Sequence, residues 1–194
     1  HQLSVEDVRN LLSDPSTENR ALTASKVATA FSSGGLSERE RELAEEIFRI
    51  MARDVEQKVR VALSQSIRLS PDLPHDVAVT LANDIAAVAL PIIEASSVLT
   101  DDDLLSIIES KPAEYQVAVA GRAVVSERVS DALVDTRNED VVARLVANNG
   151  AQLKEETMNR VLDDFGHIKR ISNPMAERAV LPLDIPGCAV HRAD

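Results

Sequence analysis

Asp163, Asp164 and His167 are the side chains whose types and spacing come closest to a metal site. His167 follows the two acids by four and three residues, so a helix would bring the three groups to one face, and carboxylate and imidazole groups bind metal ions such as zinc. A closed site needs further ligands, and the sequence places none. The simpler interpretation is the polar end of a helix before Gly166, so we expect no bound metal.

Two other groups could do chemistry. Cys188 could act as a nucleophile with His191 as its base, but the tail that contains them, residues 181–194, is rich in Pro and Gly and predicts no ordered scaffold. The acidic triplet Asp101–Asp103 could hold a cation. It follows Thr100, however, and is more simply the negatively charged first turn of a helix, which the helix dipole favours.

The motifs of common enzyme classes are missing from the sequence. It contains no glycine-rich phosphate loop, no H-E-x-x-H, no G-x-S-x-G and no dinucleotide fingerprint. We therefore expect no cofactor and no enzymatic activity. A helical-repeat enzyme of the DNA glycosylase or lyase kind is a remote alternative, and it would require inward Asp, Arg and aromatic side chains in one groove.

The composition argues against nucleic acid and membranes as partners. Among 194 residues, 32 Asp and Glu outnumber 21 Lys and Arg, and the net charge of −11 repels phosphate backbones and anionic lipids. With no Trp, one Tyr and three Phe, the chain has few rings on which bases could stack. The longest apolar run, residues 85–93, is too short to span a membrane. The single Cys and the absence of a secretory signal pattern favour a cytoplasmic protein.

Apolar residues recur at helical spacing along almost the whole chain, as Leu43, Ile47 and Met51 do, and no segment alternates like a strand. The fold class predicted is all-α. Capping chemistry marks two alternating sets of helix starts. The first set pairs a hydroxyl with an acid three residues later: Ser4 with Asp7, Ser37 with Glu40, and Thr100 with Asp103. The second set begins with an acid: Asp14, Asp54, Asp84 and Asp135.

Taken together, these starts predict about six irregular helix pairs, that is, an α-α superhelix of the HEAT or armadillo type, over residues 1–180. Residues 181–194 are predicted to be an irregular tail and the start of a linker to a downstream region. The predicted pairs are 4–12 with 15–31, 37–52 with 55–68, 74–83 with 85–96, 101–109 with 112–123, 126–134 with 138–148, and 154–165 with 168–180.

Two stretches carry a resemblance to known families. Asp54, Val59, Arg60 and Leu63 match the D-x-x-x-x-V-R-x-x-L centre of a HEAT repeat, in which the Asp caps the second helix and the Arg commonly bridges neighbouring repeats. Residues 125–153, with V-S-x-x-V-S-x-x-L followed by V-V-x-x-L-x-x-N-x-x-A, resemble an uncharacterised family of HEAT-like proteins that is mainly alphaproteobacterial. The resemblance implies a fold and a bacterial origin, and it implies no activity.

The third pair contains an unusual second helix. Residues 84–94 are apolar nearly all round, and Pro91 is expected to kink or interrupt the helix. Such a helix must be covered on every side, either by the flanking pairs or by a second copy of the chain. Tyr115, on the following pair, is expected to face the core with its hydroxyl bonded.

The distribution of charge suggests a binding surface. The excess acid lies on the first helices of the pairs, whereas the second helices are close to neutral. Second helices usually line the inner surface of such arrays, where partners bind. The residues predicted to bind a partner there are Arg20, Lys26, Lys58, Arg60, Arg68, Arg122 and Arg144.

The function predicted on this basis is that of a protein-interaction scaffold that binds an acidic or amphipathic segment of another protein. An alternative use of the same residues is that several of them bridge repeats within the chain. An alternative function is a homodimerisation or structural domain of a longer protein.

Overall fold

The computed structural model describes Ser13 and residues 16–180 of the chain, without the side chains of residues 179 and 180. In this part of the chain all the regular elements are helices, and one isolated bridge joins Val125 and Ala151, which confirms the predicted all-α class. The eleven helices are α1 (Thr17–Ser32), α2 (Glu38–Met51), α3 (Gln57–Ile67), α4 (His75–Ala82), α5 (Ala86–Ala95), α6 (Asp101–Ser110), α7 (Ala113–Ala120), α8 (Glu127–Asp135), α9 (Glu139–Val146), α10 (Glu155–Phe165) and α11 (Lys169–Val180).

Each predicted helix that falls within the described residues is present. The second helices of the pairs are shorter than predicted, because residues expected to continue them form the turns instead; α7, for example, ends at Ala120 rather than at residue 123. The predicted helix 4–12, the starts at Ser4 and Asp14 and the tail 181–194 lie outside the described residues.

The two predicted capping boxes within the described part are both formed. The Ser37 hydroxyl accepts from the backbone N–H of Glu40, whose carboxylate accepts from the backbone N–H of Ser37 at 2.9 Å. Thr100 and Asp103 make the same reciprocal pair at the start of α6, with the returning bond at 2.7 Å. Because each box satisfies two backbone donors that the helix leaves unpaired, it fixes where a first helix of a pair begins.

The predicted starts at Asp54, Asp84 and Asp135 are wrong in their details. Asp54 and Asp84 lie in the turns before α3 and α5, and their carboxylates mainly accept from arginines of the preceding pair. Asp135 is the last residue of α8, so it cannot begin the next helix. Asn138 caps α9 instead, after Arg137 has turned the chain in the left-handed region at a φ of 52°.

The helices lie in two layers. The first-layer helices are α2, α4, α6, α8 and α10, and the second-layer helices are α1, α3, α5, α7, α9 and α11. Each second-layer helix contacts the next one along the chain, and each first-layer helix contacts the second-layer helix that follows it. In the first layer, α4 and α6 are joined by a hydrogen bond of 2.7 Å between His75 Nε2 and an Asp103 carboxylate oxygen.

An aliphatic core runs between the layers along the array, from Ala21 to Met175. Aromatic packing is confined in the described part to Phe31 and Phe48, whose rings meet edge to face at 5.2 Å between centroids. None of the described helices is long and apolar enough to cross a membrane. Most residues of this core are Val, Leu, Ile or Ala, and they come from all the helix pairs in the described part.

The apolar helix α5 runs from Ala86 to Ala95 without interruption at Pro91. Its flanking helices α3, α4 and α7 bury Val88, Ala89, Ile92 and Ile93 completely. Leu90 and Pro91 stay partly exposed. The flanking helices therefore cover one side of this helix, and its other side, with Ala87, Leu90 and Pro91, remains at least partly exposed.

Candidate protein-binding surface

Two largely buried ion pairs of the same geometry join consecutive helix pairs at the turns between the layers. Arg20 on α1 donates from Nε and Nη2 to the carboxylate oxygens of Asp54, at 2.9 and 3.2 Å. Arg60 on α3 donates from the same two atoms to Asp84, at 2.6 and 3.1 Å. Both arginines are the fourth residue of their helix, so the ion pairs occupy equivalent positions in successive helix pairs. This bidentate geometry holds α1 to the turn before α3, and α3 to the turn before α5.

Backbone carbonyls link these ion pairs into a longer chain of contacts, the turn ladder, formed by Arg20, Asp54, Arg60, Asp84 and Tyr115. Arg60 Nη1 also donates to the Asp54 carbonyl at 2.7 Å, and the Tyr115 hydroxyl donates to the Asp84 carbonyl at 2.7 Å. The hydrogen bond to Asp84 raises the pKa of Arg60, and burial raises the pKa of Tyr115, as expected for its predicted core position. These Asp, Arg and Tyr groups bond to one another at the turns and join consecutive helix pairs.

A second repeated device caps the C-terminal ends of second-layer helices, whose last carbonyls lack donors. Arg122, just after α7, donates to two carbonyls at the end of α5. Asn148, just after α9, donates from Nδ2 to two carbonyls at the end of α7, at 2.8 and 2.7 Å. Arg178 on α11 donates to three carbonyls at and after the end of α9. Burial lowers the pKa of Arg122 and Arg178, and their bonds to carbonyls partly replace the lost hydration.

The seven cations predicted to bind a partner fall into two groups. Four of them bond within the chain: Arg20, Arg60 and Arg122 as described, and Lys58 to Glu18 at 2.9 Å. Three are exposed and form no salt bridge with the described residues: Lys26, Arg68 and Arg144. The alternative that several of the predicted residues bridge repeats internally therefore describes the first group, and partner binding remains a prediction for the second.

Gly121 determines where Arg144 lies. A Cβ atom at Gly121 would fall 2.9 Å from both Nε and Nη2 of Arg144, closer than such atoms approach in proteins. The guanidinium therefore rests against the end of α7 because residue 121 has no side chain. Gly121 has a φ of −88°, so space rather than backbone conformation accounts for the glycine.

The outer surface of the second layer carries a row of apolar residues, the apolar stripe. The helical spacing places these residues on the same side of their helices as exposed charged residues: Leu22 precedes Lys26 by four residues, Leu90 precedes Glu94 by four, and Val117 follows Glu114 by three. Four members are partly buried against the core and one is the exposed Leu22. The members of the apolar stripe are Leu22, Ala62, Leu90, Val117 and Ala143.

Two carboxylates beside the apolar stripe were not among the residues predicted from the sequence. Glu94 on α5 and Glu114 on α7 are exposed, and within the described residues neither forms a salt bridge. A signal was available, because Ala87, Leu90 and Glu94 are spaced by three and four residues and so mark the outer face of α5. We call the apolar stripe together with Lys26, Arg68, Glu94, Glu114 and Arg144 the second-layer face.

The first layer uses many of its acids in contacts between consecutive helices. These contacts include Arg49 with Asp76, Arg128 with Asp102, Lys154 with Asp131 and Arg160 with Asp135. Burial acts to raise the pKa of Asp103, but hydrogen bonds from His75 and Thr100 outweigh it and leave that pKa lowered. Asp163, Asp164 and His167 are exposed at the end of α10. Among the described residues no group of three or more His, Cys, Asp or Glu side chains could hold a metal ion.

Comparisons with known proteins identify the chain only at the level of a family. No curated protein matches it, and no solved structure matches it. A family model described as "Uncharacterised protein conserved in bacteria (DUF2336)" matches residues 88–187, which is just over half of the chain. The chain therefore belongs to this uncharacterised bacterial family.

Proposed function

We propose that the chain is a non-enzymatic scaffold that binds another protein through the second-layer face. The observation that carries this proposal is the apolar stripe, which lies between charged side chains that form no salt bridge with the described residues. Protein-binding surfaces combine an apolar centre with a polar rim, and the second-layer face has both. The exposed cations Lys26, Arg68 and Arg144 would contact the partner.

The proposal includes a finer description of the fold as an α-α superhelix of the HEAT type. Its support is the repetition of contacts from one helix pair to the next: the Arg20–Asp54 and Arg60–Asp84 ion pairs, and the carbonyl caps. In stacked-repeat proteins each unit is stabilised mainly by its neighbours, and the layers expose long surfaces for partners.

The experiment that tests the proposed function is affinity capture from a lysate of the source bacterium with charge-reversed baits. Arg68→Glu with Arg144→Glu changes the second-layer face. Arg39→Glu with Arg53→Glu is the matched control, because both residues are exposed arginines outside that face, without salt bridges in the described part, and the change in net charge is equal. Circular dichroism and urea midpoints establish that each bait is folded.

We expect a protein that is retained by the wild-type chain and by the control, and that is lost from the second-layer variant. If every captured protein binds the second-layer variant as well as the control, the second-layer face is not the binding surface and the proposal fails. Recovery of the chain alone would likewise contradict it and would favour self-association.

Self-association is the second candidate, and it has an observation of its own. Val55 and Ile85 are 89% and 45% exposed in neighbouring turns, one residue after Asp54 and Asp84, so that apolar side chains line this edge of the array. Arg60 contacts both turns and so holds them near each other. Sedimentation of the wild-type chain and of Val55→Asp with Ile85→Asp tests this candidate. It predicts that the wild-type chain is a dimer and that the double variant is a monomer.

A further inference from the structure

The second-layer face carries an ordered sequence of charges along the array. Lys26 on α1 and Arg68 at the end of α3 are positive, Glu94 on α5 and Glu114 on α7 are negative, and Arg144 on α9 is positive. None of the five forms a salt bridge with the described residues, so each is available to a charge supplied from outside. The order along the face is therefore positive, negative, positive.

The middle of the face is rich in hydrogen-bond acceptors. Pro91 has no N–H, so the carbonyl of Ala87, four residues earlier on an exposed position of α5, lacks its helical donor. This carbonyl and the carboxylates of Glu94 and Glu114 accept hydrogen bonds and donate none. Leu90, a member of the apolar stripe, lies between Ala87 and Glu94 on the same side of α5. A Lys or Arg side chain, with an apolar stem and a cationic end, fits this combination.

The apolar stripe also restricts the backbone of any occupant. Its side chains come from Leu, Ala and Val, which offer no donor or acceptor to a peptide backbone laid across them. An occupant seated there must satisfy its own backbone groups, and an α-helix does so. Helices with one apolar face bind apolar grooves in this way.

From these observations, and resting on the proposed function, we infer that the second-layer face binds an amphipathic helix of a partner protein whose charges are acidic, then basic, then acidic along its length. The acidic ends contact Arg68 at one end and Arg144 at the other. The basic centre contacts Glu94 and Glu114.

The spacing of the second layer sets the length of this helix. Packed helices lie about 8–10 Å apart, so the three steps from α3 to α9 span about 24–30 Å. At 1.5 Å per residue, a helix of about 16–20 residues covers that distance. Because the charge order is the same from either end, it does not depend on the direction in which the partner helix runs.

The test is a selection from a displayed library of amphipathic helices about 20 residues long, a length set by the helical rise. The library keeps one Leu and Ala face constant and places either Glu or Lys at every position that flanks it. The immobilised full chain serves as bait, and a parallel selection uses Glu94→Lys with Glu114→Lys. The enriched peptides are then synthesised and their affinities measured by fluorescence anisotropy.

We expect the wild-type chain to enrich peptides with Glu at both ends and Lys in the middle. Reversing Glu94 and Glu114 should weaken their binding about tenfold, the sum of a few exposed ion pairs, and should enrich peptides with Glu throughout. Arg39→Glu with Arg53→Glu should leave both results unchanged.

The possible failures are distinguishable from failure of the proposed function. Enriched peptides that need Arg68 and Arg144 but show no charge order would overturn the inference and leave the second-layer face as a binding surface. If no enriched peptide depends on that face, the inference is also overturned, and the lysate capture then decides the proposed function independently.

Discussion

Replacing Arg60 by Met tests whether the turn ladder holds consecutive helix pairs together. Met keeps the apolar stem but removes the two bonds to Asp84 and the bond to the Asp54 carbonyl. Removing one partner of a buried ion pair costs about 3–5 kcal/mol. The side chains of Arg60 and Asp84 are 16% and 15% exposed, and Asp84 also accepts a hydrogen bond from the Ile85 N–H at 2.7 Å, which the substitution leaves in place. We therefore expect the lower end of that range, a loss of about 3 kcal/mol in the free energy of unfolding.

Lys58 provides the matched control, two residues earlier on the same helix. It also pairs with an acid of a neighbouring helix, Glu18, but the two side chains are 63% and 71% exposed. Solvent and salt screen such a pair, so Lys58→Met should shift the urea midpoint little. Both substitutions replace a paired cation of α3 with the same residue, but Arg60 loses three bonds in a largely buried pair whereas Lys58 loses one bond at the surface.

The assay is urea denaturation followed by circular dichroism, for Arg60→Met, Asp84→Asn, the double variant and Lys58→Met. The double-mutant cycle should give a coupling between Arg60 and Asp84 of about 2 kcal/mol. The reasoning is refuted if Arg60→Met costs no more than Lys58→Met, or if the cycle shows no coupling.

Three further predictions concern single positions. Gly121→Ala should raise the free energy of unfolding by about 0.4–1 kcal/mol, because Ala restricts the conformations of the unfolded chain. In the folded chain only the end of the flexible Arg144 side chain must move to make room for the new Cβ atom. A lowered urea midpoint would contradict this prediction. Gly150→Ala should lower the midpoint, because its Cβ would lie 1.9 Å from the Ala123 carbonyl oxygen and the backbone must shift, and an unchanged midpoint would show that it need not. The stabilisation that Asp103 gains from its lowered pKa should be complete well above its ordinary value of 3.8 and be lost as pH falls through the lowered value. Urea midpoints measured against pH should therefore show the advantage of the wild-type chain over Asp103→Asn shrinking in that range, and an advantage that grows there would contradict the sign.

Local chemistry explains why the helices could be predicted. The Ser37 and Thr100 capping boxes form because both partners lie within one helical turn, so four residues of sequence contain the whole interaction. Asp54 was misassigned as a cap for the opposite reason. Its main partner, Arg20, lies 34 residues away, and no short window shows that an arginine will compete for the carboxylate. The bridging role of Arg60 was implied by the resemblance to a HEAT repeat and by the alternative that several of the predicted cations bridge repeats, and no local pattern identified its partner.

The binding surface was harder to predict, because charge alone does not show which cations are already bonded. Arg122 was assigned to the partner surface, yet it is partly buried and bonded to the end of α5. Its acceptors are backbone carbonyls, which every residue type carries, so no side-chain pattern marks the contact. Asn148 and Arg178 bind carbonyls in the same way at the ends of the next two second-layer helices, α7 and α9.

The contacts that stabilise the array and the groups proposed to bind a partner are carried by different residues. The turn ladder and the carbonyl caps join consecutive helix pairs, so the free energy of unfolding depends on them. Arg68, Glu94 and Arg144 contribute to none of these contacts, and their exposed charges can change at little cost in stability. Substitutions on the second-layer face should therefore alter binding while leaving the urea midpoint near that of the wild-type chain. Substitutions in the turn ladder should lower the urea midpoint without removing a group that binds the partner. A variant of the second-layer face that unfolded the chain would show that the two sets of residues are not separate.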